Sequence, residues 1–199
     1  QKFEDAKDYY SRVLEIEPWH ADARQNLDKL SNSLSRTNTS QSAEEMYQIA
    51  QKAVTEGREQ EAIQQLETIL TASPKHAQAH NDLGVLLYRA GDKNIALDHY
   101  EKAVNLDPNN ATFQKNLADF YCIEQGKFEK AMRIYVQILE NHAEEVETLM
   151  AVGYICEQLK KTDDAKDFYH RVIEIEPWNL EAKQKLDTLN MTRMAMLEL

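Results

Sequence analysis

Apolar residues recur at helical spacing along most of the chain and give way at short polar or glycine-containing stretches. The clearest instance runs from Ala77 to Asn110. Ala79, Leu83, Leu86 and Leu87 share one helix face, Ala90-Gly91-Asp92 breaks the pattern, and Ile95, Ala96, Tyr100, Ala103, Val104 and Leu106 resume it. Gly91 is placed to end the first helix. Asp107 precedes Pro108, and a residue before proline is pushed out of the helical region, so the second helix should end there. These 34 residues predict helix, turn, helix, turn.

The unit recurs. Ala43 to His76 repeats it with Met46, Ile49, Ala50, Ala53, Ala62, Leu66, Ile69 and Pro74, and with Gly57 at the inner turn. Ala111 to Glu145 carries Leu117, Ala118, Tyr121, Ala131, Tyr135 and Ile138, with one extra residue in Glu124-Gln125-Gly126. There Ala143 replaces the closing proline, which predicts a less sharply defined helix end. The unit from Val146 carries Leu149, Val152, Gly153, Cys156, Ala165, Tyr169, Val172 and Pro177. Lys2 to Pro18 matches a second helix alone, with Ala6, Tyr10, Val13 and Pro18 in the corresponding positions.

Helices at Ala21 to Leu30 and Leu180 to Leu189 read as caps. The expected organisation is a half unit with its cap at 1–30, a linker at 31–42, full units at 43–76, 77–110, 111–145 and 146–179, and a cap with tail at 180–199. Ser31 to Ser42 carries one large apolar side chain, Leu34, which is too little to offset the entropy of ordering the stretch. It reads as a linker, or else as a loop pinned to the surface.

The 34-residue unit resembles the tetratricopeptide repeat, whose signature is W-x2-L-G-x2-Y, then A-x3-F, then A and P. Leu83-Gly84, Leu87, Ala96, Tyr100, Ala103 and Pro108 stand in its positions, and His80 replaces the tryptophan. The resemblance implies an all-α fold, a right-handed α-α superhelix of antiparallel helix pairs, with a concave groove lined by the first helix of each pair. Carried onto this chain, the lining comprises Tyr47, Gln51 and Val54, then Asn81, Val85, Tyr88 and Arg89, then Lys115, Asp119 and Cys122, then Met150, Tyr154 and Glu157. Tyr88, Arg89 and Tyr154 are the preferred anchors, being of the types enriched in binding hot spots. Family members that grip a chaperone's C-terminal carboxylate use Lys and Asn on the first such helix. Tyr47 and Gln51 occupy that pair here, so that ligand is not expected.

Residues 1–30 align with 160–189 at a constant offset of 159, and DAKDYYSRVLEIEPW matches DAKDFYHRVIEIEPW at twelve of fifteen positions. Duplication of a whole array explains this, with the first thirty residues as the end of an upstream copy. The opening half unit would then have an uncovered apolar face. The chain starts at Gln1, inside a unit, and reads as a piece of a longer protein.

Composition narrows the function. At 42% apolar and 29% charged the chain is of globular type, and no run approaches the roughly 20 apolar residues of a membrane span. A net charge of -11 argues against nucleic acid, which needs clustered Lys and Arg. Two cysteines make no disulfide framework and favour a reducing, cytoplasmic setting. The prolines close units and the glycines serve turns or close packing, leaving none for a phosphate loop.

His76 and His80 have the i, i+4 spacing of a helical metal pair, but the first precedes its helix and the second takes a packing position, so a structural role is expected. His20, His99, His142 and His170 stand singly. Cys122 and Cys156 lack a nearby base and are expected to be buried or to line the groove. Asn38, Asn110 and Asn190 open N-x-S/T triplets that matter only in a secreted protein. Met191, Met194 and Leu197 space apolar groups by three, as an extension of the cap or as a docking strip.

The reading is a non-catalytic protein-interaction scaffold without cofactor or metal, binding a peptide or helix. The alternatives are a substrate-selecting arm of a larger bacterial enzyme, glycosyltransferase-like or methyltransferase-like, and a scaffold that self-assembles into a homo-oligomer through residues 1–30 or the C-terminal tail.

Overall fold

The computed structural model describes the backbone of residues 2–197 and the side chains of residues 5–31 and 43–191. Among the described residues there are ten helices: α1 (Lys2–Ile16), α2 (Ala21–Thr55), α3 (Glu59–Ala72), α4 (Ala77–Ala90), α5 (Lys93–Leu106), α6 (Ala111–Ile123), α7 (Phe128–Asn141), α8 (Val146–Gln158), α9 (Thr162–Ile175) and α10 (Leu180–Leu197). They form two compact units, Gln1–Leu86 and Leu87–Leu199, with the division inside α4.

In the first unit α1 and α3 both pack on α2. Ala50 and Ala53 of α2 and Ala62, Leu66 and Ile69 of α3 are each no more than 1% exposed, so small residues let the two backbones approach. The stretch 31–42, expected as a linker, is instead helical backbone within the 35 residues of α2. Neither Gly nor Pro occurs between Trp19 and Glu56. Ser, Thr and Asn lower helix propensity by only a fraction of a kcal/mol each, roughly 0.5, so a helix held at both ends propagates through them. The side chains of Leu34, Asn38, Met194 and Leu197 lie outside the described residues.

In the second unit α6 pairs with α7, α8 with α9, and α10 packs on α9, while α5 adjoins α6 and α7 adjoins α8. Tyr121, Tyr135 and Tyr169 sit in its core with Ile138, Leu149, Val152, Ile155 and Val172, all at most 2% exposed. α10 runs to Leu197, beyond the expected end of the cap.

The turns repeat one chemistry. At Gly91 (φ 95°) and Lys160 (φ 59°) the chain turns through the left-handed region. The next N–H then reaches five residues back, Asp92 to the Leu87 carbonyl at 2.9 Å and Lys161 to the Cys156 carbonyl at 2.8 Å. After α6 the extra residue lengthens this closure, and Lys127 N–H reaches the Tyr121 carbonyl at 2.9 Å.

Outer turns are closed by side chains. The N-cap acceptors are His20 Nδ1, His76 Nδ1, Asn110 Oδ1, Glu145 Oε2 and Asn179 Oδ1, each taking the N–H three residues on. The carbonyl of the closing residue accepts a side-chain donor: Pro18 from Arg24 at 2.6 Å, Pro74 from His80 at 3.0 Å, Pro108 from Gln114 at 2.7 Å. Leu149 holds the corresponding place in the last pair and cannot donate, and there Arg171 reaches across to the Ala143 carbonyl at 3.0 Å. The turn at Ala143 is as well formed as the others, with His142 N–H on the Ile138 carbonyl at 2.8 Å. Proline is therefore dispensable where the turn's polar groups are satisfied.

Candidate functional site

In the first unit, Tyr47 and Asn81 are interior residues, 8% and 5% exposed. The Tyr47 hydroxyl donates to Asp82 Oδ2 at 2.6 Å and its ring lies 5.0 Å from that of His76. Burial, then the Asp82 carboxylate, pushes the Tyr47 phenol well above its ordinary range. Asn81 Nδ2 donates to Asp82 Oδ1 at 3.1 Å. Gln51 is exposed, and Val54 and Val85 are half-buried.

In the second unit a cleft of about 490 Å³ is walled by Asp119, Cys122 and Ile123 of α6, Phe128 and Tyr135 of α7, Met150, Ala151 and Tyr154 of α8, Tyr169 of α9, and Glu181 and Lys185 of α10, with Gly126 at its edge. Of the residues singled out from the sequence, it brings together Asp119, Cys122, Met150 and Tyr154. Tyr88, Arg89, Lys115 and Glu157 are not on its wall.

Two buried phenols brace this cleft. Tyr135 donates to Asp119 and Tyr169 donates to Glu157. Burial first, and the carboxylate second, holds both phenols neutral far into the alkaline range. Asp119 also accepts from Lys115 Nζ at 3.3 Å, and the same Nζ lies 2.8 Å from Glu147. Burial opposes the charge on Lys115, but the Glu147 hydrogen bond and both carboxylates outweigh it and raise its pKa. Lys185 Nζ bonds Glu157 at 3.0 Å and stands 5.6 Å from the centre of the Tyr154 ring, which is 40% exposed. The result is an apolar slot of Met, Phe, Ile and Cys rimmed by one carboxylate pair and one ammonium.

Tyr88 is held elsewhere in this unit. Its hydroxyl donates to Glu124 Oε1 at 2.6 Å, and Lys93 takes Oε2 at 2.5 Å. The Lys93 bond, then the Tyr88 bond, lowers the Glu124 pKa. Arg89 is exposed.

Glu181 and Lys185 lie on α10, which the sequence presents as a cap and not as the first helix of a pair.

The histidine pair is engaged in turns: His76 Nδ1 accepts from Ala79 N–H at 3.2 Å and His80 Nε2 faces the Pro74 carbonyl. Among the described residues no three His, Cys, Asp or Glu side chains are placed to share a metal ion. Cys122 and Cys156 are free and buried. Burial raises both thiols, helped by Asp119 and Asp164 respectively, which disfavours the nucleophilic thiolate. Among the described residues no helix is long and apolar enough to cross a membrane.

Models of the tetratricopeptide repeat match residues 77–110, 99–133 and 146–177. The stress-induced-phosphoprotein 1 of Caenorhabditis elegans is 39% identical over 64 residues, which cover 32% of this chain and only 20% of that protein. Among solved structures, Pseudomonas aeruginosa PilF superposes with a TM-score of 0.69 at 20% identity, over 80% of this chain and 72% of its own. A tetratricopeptide repeat protein of Parabacteroides merdae gives 0.70 at 25% identity over 78% and 61%. The first repeat domain of Spaghetti, solved with the HSP90 peptide SRMEEVD, gives 0.55 at 26% identity over 59% and 93%.

Proposed function

This chain is a tetratricopeptide repeat protein, and we propose that it is a non-catalytic scaffold that binds a peptide or short helix of another protein in the cleft of its second unit. The observation that carries this reading is the convergence of Met150 and Tyr154 of α8 with Asp119 and Cys122 of α6 around one slot of about 490 Å³. A slot of that size takes one or two apolar side chains, and Asp119, Glu181 and Lys185 on its wall can orient the backbone that carries them. Tyr154 is the anchor, since its ring is presented rather than buried and Lys185 fixes one of its faces.

The Spaghetti domain was solved with an acidic HSP90 peptide. A different ligand is proposed here. Tyr47, which stands with Gln51 where the resemblance to carboxylate-gripping family members implies Lys and Asn, is buried and donates to Asp82. Two free, buried cysteines fit a reducing compartment, and the cytoplasm is the proposed one.

Selection of binders from a random peptide library against the whole chain tests the reading. Selected peptides should lose at least about tenfold in affinity for Met150→Glu, which places an unpaired charge in the slot, and for Tyr154→Ala. Peptides that bind both variants as tightly as the unaltered chain would refute it.

A further inference from the structure

Charge is unevenly placed around the cleft of the second unit. Asp119 and Glu181 stand on its wall against one cation, Lys185. That cation is already engaged: Lys185 Nζ bonds Glu157 at 3.0 Å, and the same carboxylate accepts from Tyr169. Beside Asp119, the Lys115 ammonium is shared between that carboxylate at 3.3 Å and Glu147 at 2.8 Å. Four carboxylates therefore surround the cleft with two ammonium groups, and both ammonium groups rest on carboxylates. Glu181 differs from the other three. Lys185 lies one turn further along α10, at the spacing of a helical ion pair, but it reaches α8 instead. Among the described residues no cation pairs with the exposed Glu181 carboxylate. The apolar part of the wall is close by, with Ile123 69% and Tyr154 40% exposed.

We propose, on the reading that this cleft receives a peptide, that it selects a segment of another protein in which a lysine or arginine stands within two residues of the apolar side chain filling the slot, with Glu181 meeting the cation. Charge complementarity carries the assignment. An acidic segment would bring its carboxylates toward Asp119 and Glu181 and find each ammonium group already held, whereas a basic one meets a carboxylate that lacks a counter-ion. The net charge of -11 acts in the same direction at longer range. Because Glu181 is exposed, its pair with the ligand adds selectivity more than affinity, about threefold to fivefold at low salt and less as salt screens it. A carboxylate in the first turn of α10 also suits the helix dipole, a role that would not couple it to any residue of a ligand.

The test is a double-mutant cycle on the whole chain, read by fluorescence anisotropy with peptides selected from a random library. Selected peptides should be enriched in Lys or Arg within two residues of a large apolar residue. Changing that basic residue to glutamine should weaken binding to the unaltered chain about threefold to fivefold and change little for Glu181→Gln. Glu174→Gln, an exposed site on α9 off the cleft wall, should keep the full effect. Peptides that lose Tyr154→Ala binding yet show no basic preference, or no coupling to Glu181, would overturn this proposal and leave the cleft a peptide site. Peptides indifferent to Tyr154→Ala would overturn both. Equal losses in Glu181→Gln and Glu174→Gln would reduce the preference to general attraction by an acidic chain and overturn the role of Glu181. Self-association of the whole chain that Tyr154→Ala abolishes would assign the cleft to a second copy and overturn it as well.

Discussion

The hydroxyl of Tyr135, a residue 1% exposed on α7, donates to Asp119 on the wall of the cleft. The bond ties the core of the second unit to the wall of its cleft. Tyr135→Phe removes a donor to a charged acceptor and should cost about 1–2 kcal/mol in urea unfolding. Asp119→Ala should cost more, about 2–3 kcal/mol, because it strands the buried hydroxyl and removes one partner of Lys115. Wild-type stability for Tyr135→Phe would show that the bond contributes nothing.

Alkali should unfold the chain before its core tyrosines ionise. Burial, then the neighbouring Tyr88 and Asp119, pushes Tyr100 up to about 12, and Tyr47, Tyr121, Tyr135 and Tyr169 are raised further, by burial first and a carboxylate second. These groups keep their protons in the folded state while the unfolded chain loses them near pH 10, so stability is intact below about pH 10 and falls as pH rises above it. Thermal midpoints between pH 8 and 11.5, followed with absorbance at 295 nm, should fall above pH 10, with the tyrosinate absorbance of all nine tyrosines reached only as the helix signal is lost. Absorbance of all nine tyrosinates in a chain that retains its helix signal would contradict this.

Lys160 turns through φ 59° where the other inner turns use glycine. A side chain there costs about 1–2 kcal/mol, partly offset by the greater freedom glycine gives the unfolded chain. Lys160→Gly should stabilise by about 0.5–1 kcal/mol, and Gly91→Ala should destabilise by about 1 kcal/mol. Denaturant midpoints moving in the same direction for both variants would sink the explanation.

Helices and inner turns were legible because they rest on local rules: apolar spacing for Leu83 and Leu87, glycine at Gly91, proline after Asp107. The linker was misjudged because its composition says that it buries little, and says nothing about whether a helix anchored on both sides can run through it. The closing carbonyls escaped notice for a different reason. Arg24, His80, Gln114 and Arg171 share no residue type, and the bond to Ala143 comes from a helix further along the chain. The cleft was half legible. Asp119, Met150 and Tyr154 followed from the family's groove positions, whereas Lys185 and Glu181 belong to a helix read only as a cap. Tyr47 and Asn81 show the limit of those positions: both point inward, held by Asp82.

The central claim is that a partner peptide enters the cleft of the second unit, and the methionine methyl groups report on it directly. The chain has six methionines, of which Met150 lines the slot and Met46 lies in the first unit. With carbon-13 methyl methionine, a library-selected peptide should shift and broaden the Met150 signal and leave that of Met46 in place. A peptide that binds tightly with the Met150 signal unmoved would place recognition elsewhere and contradict the account.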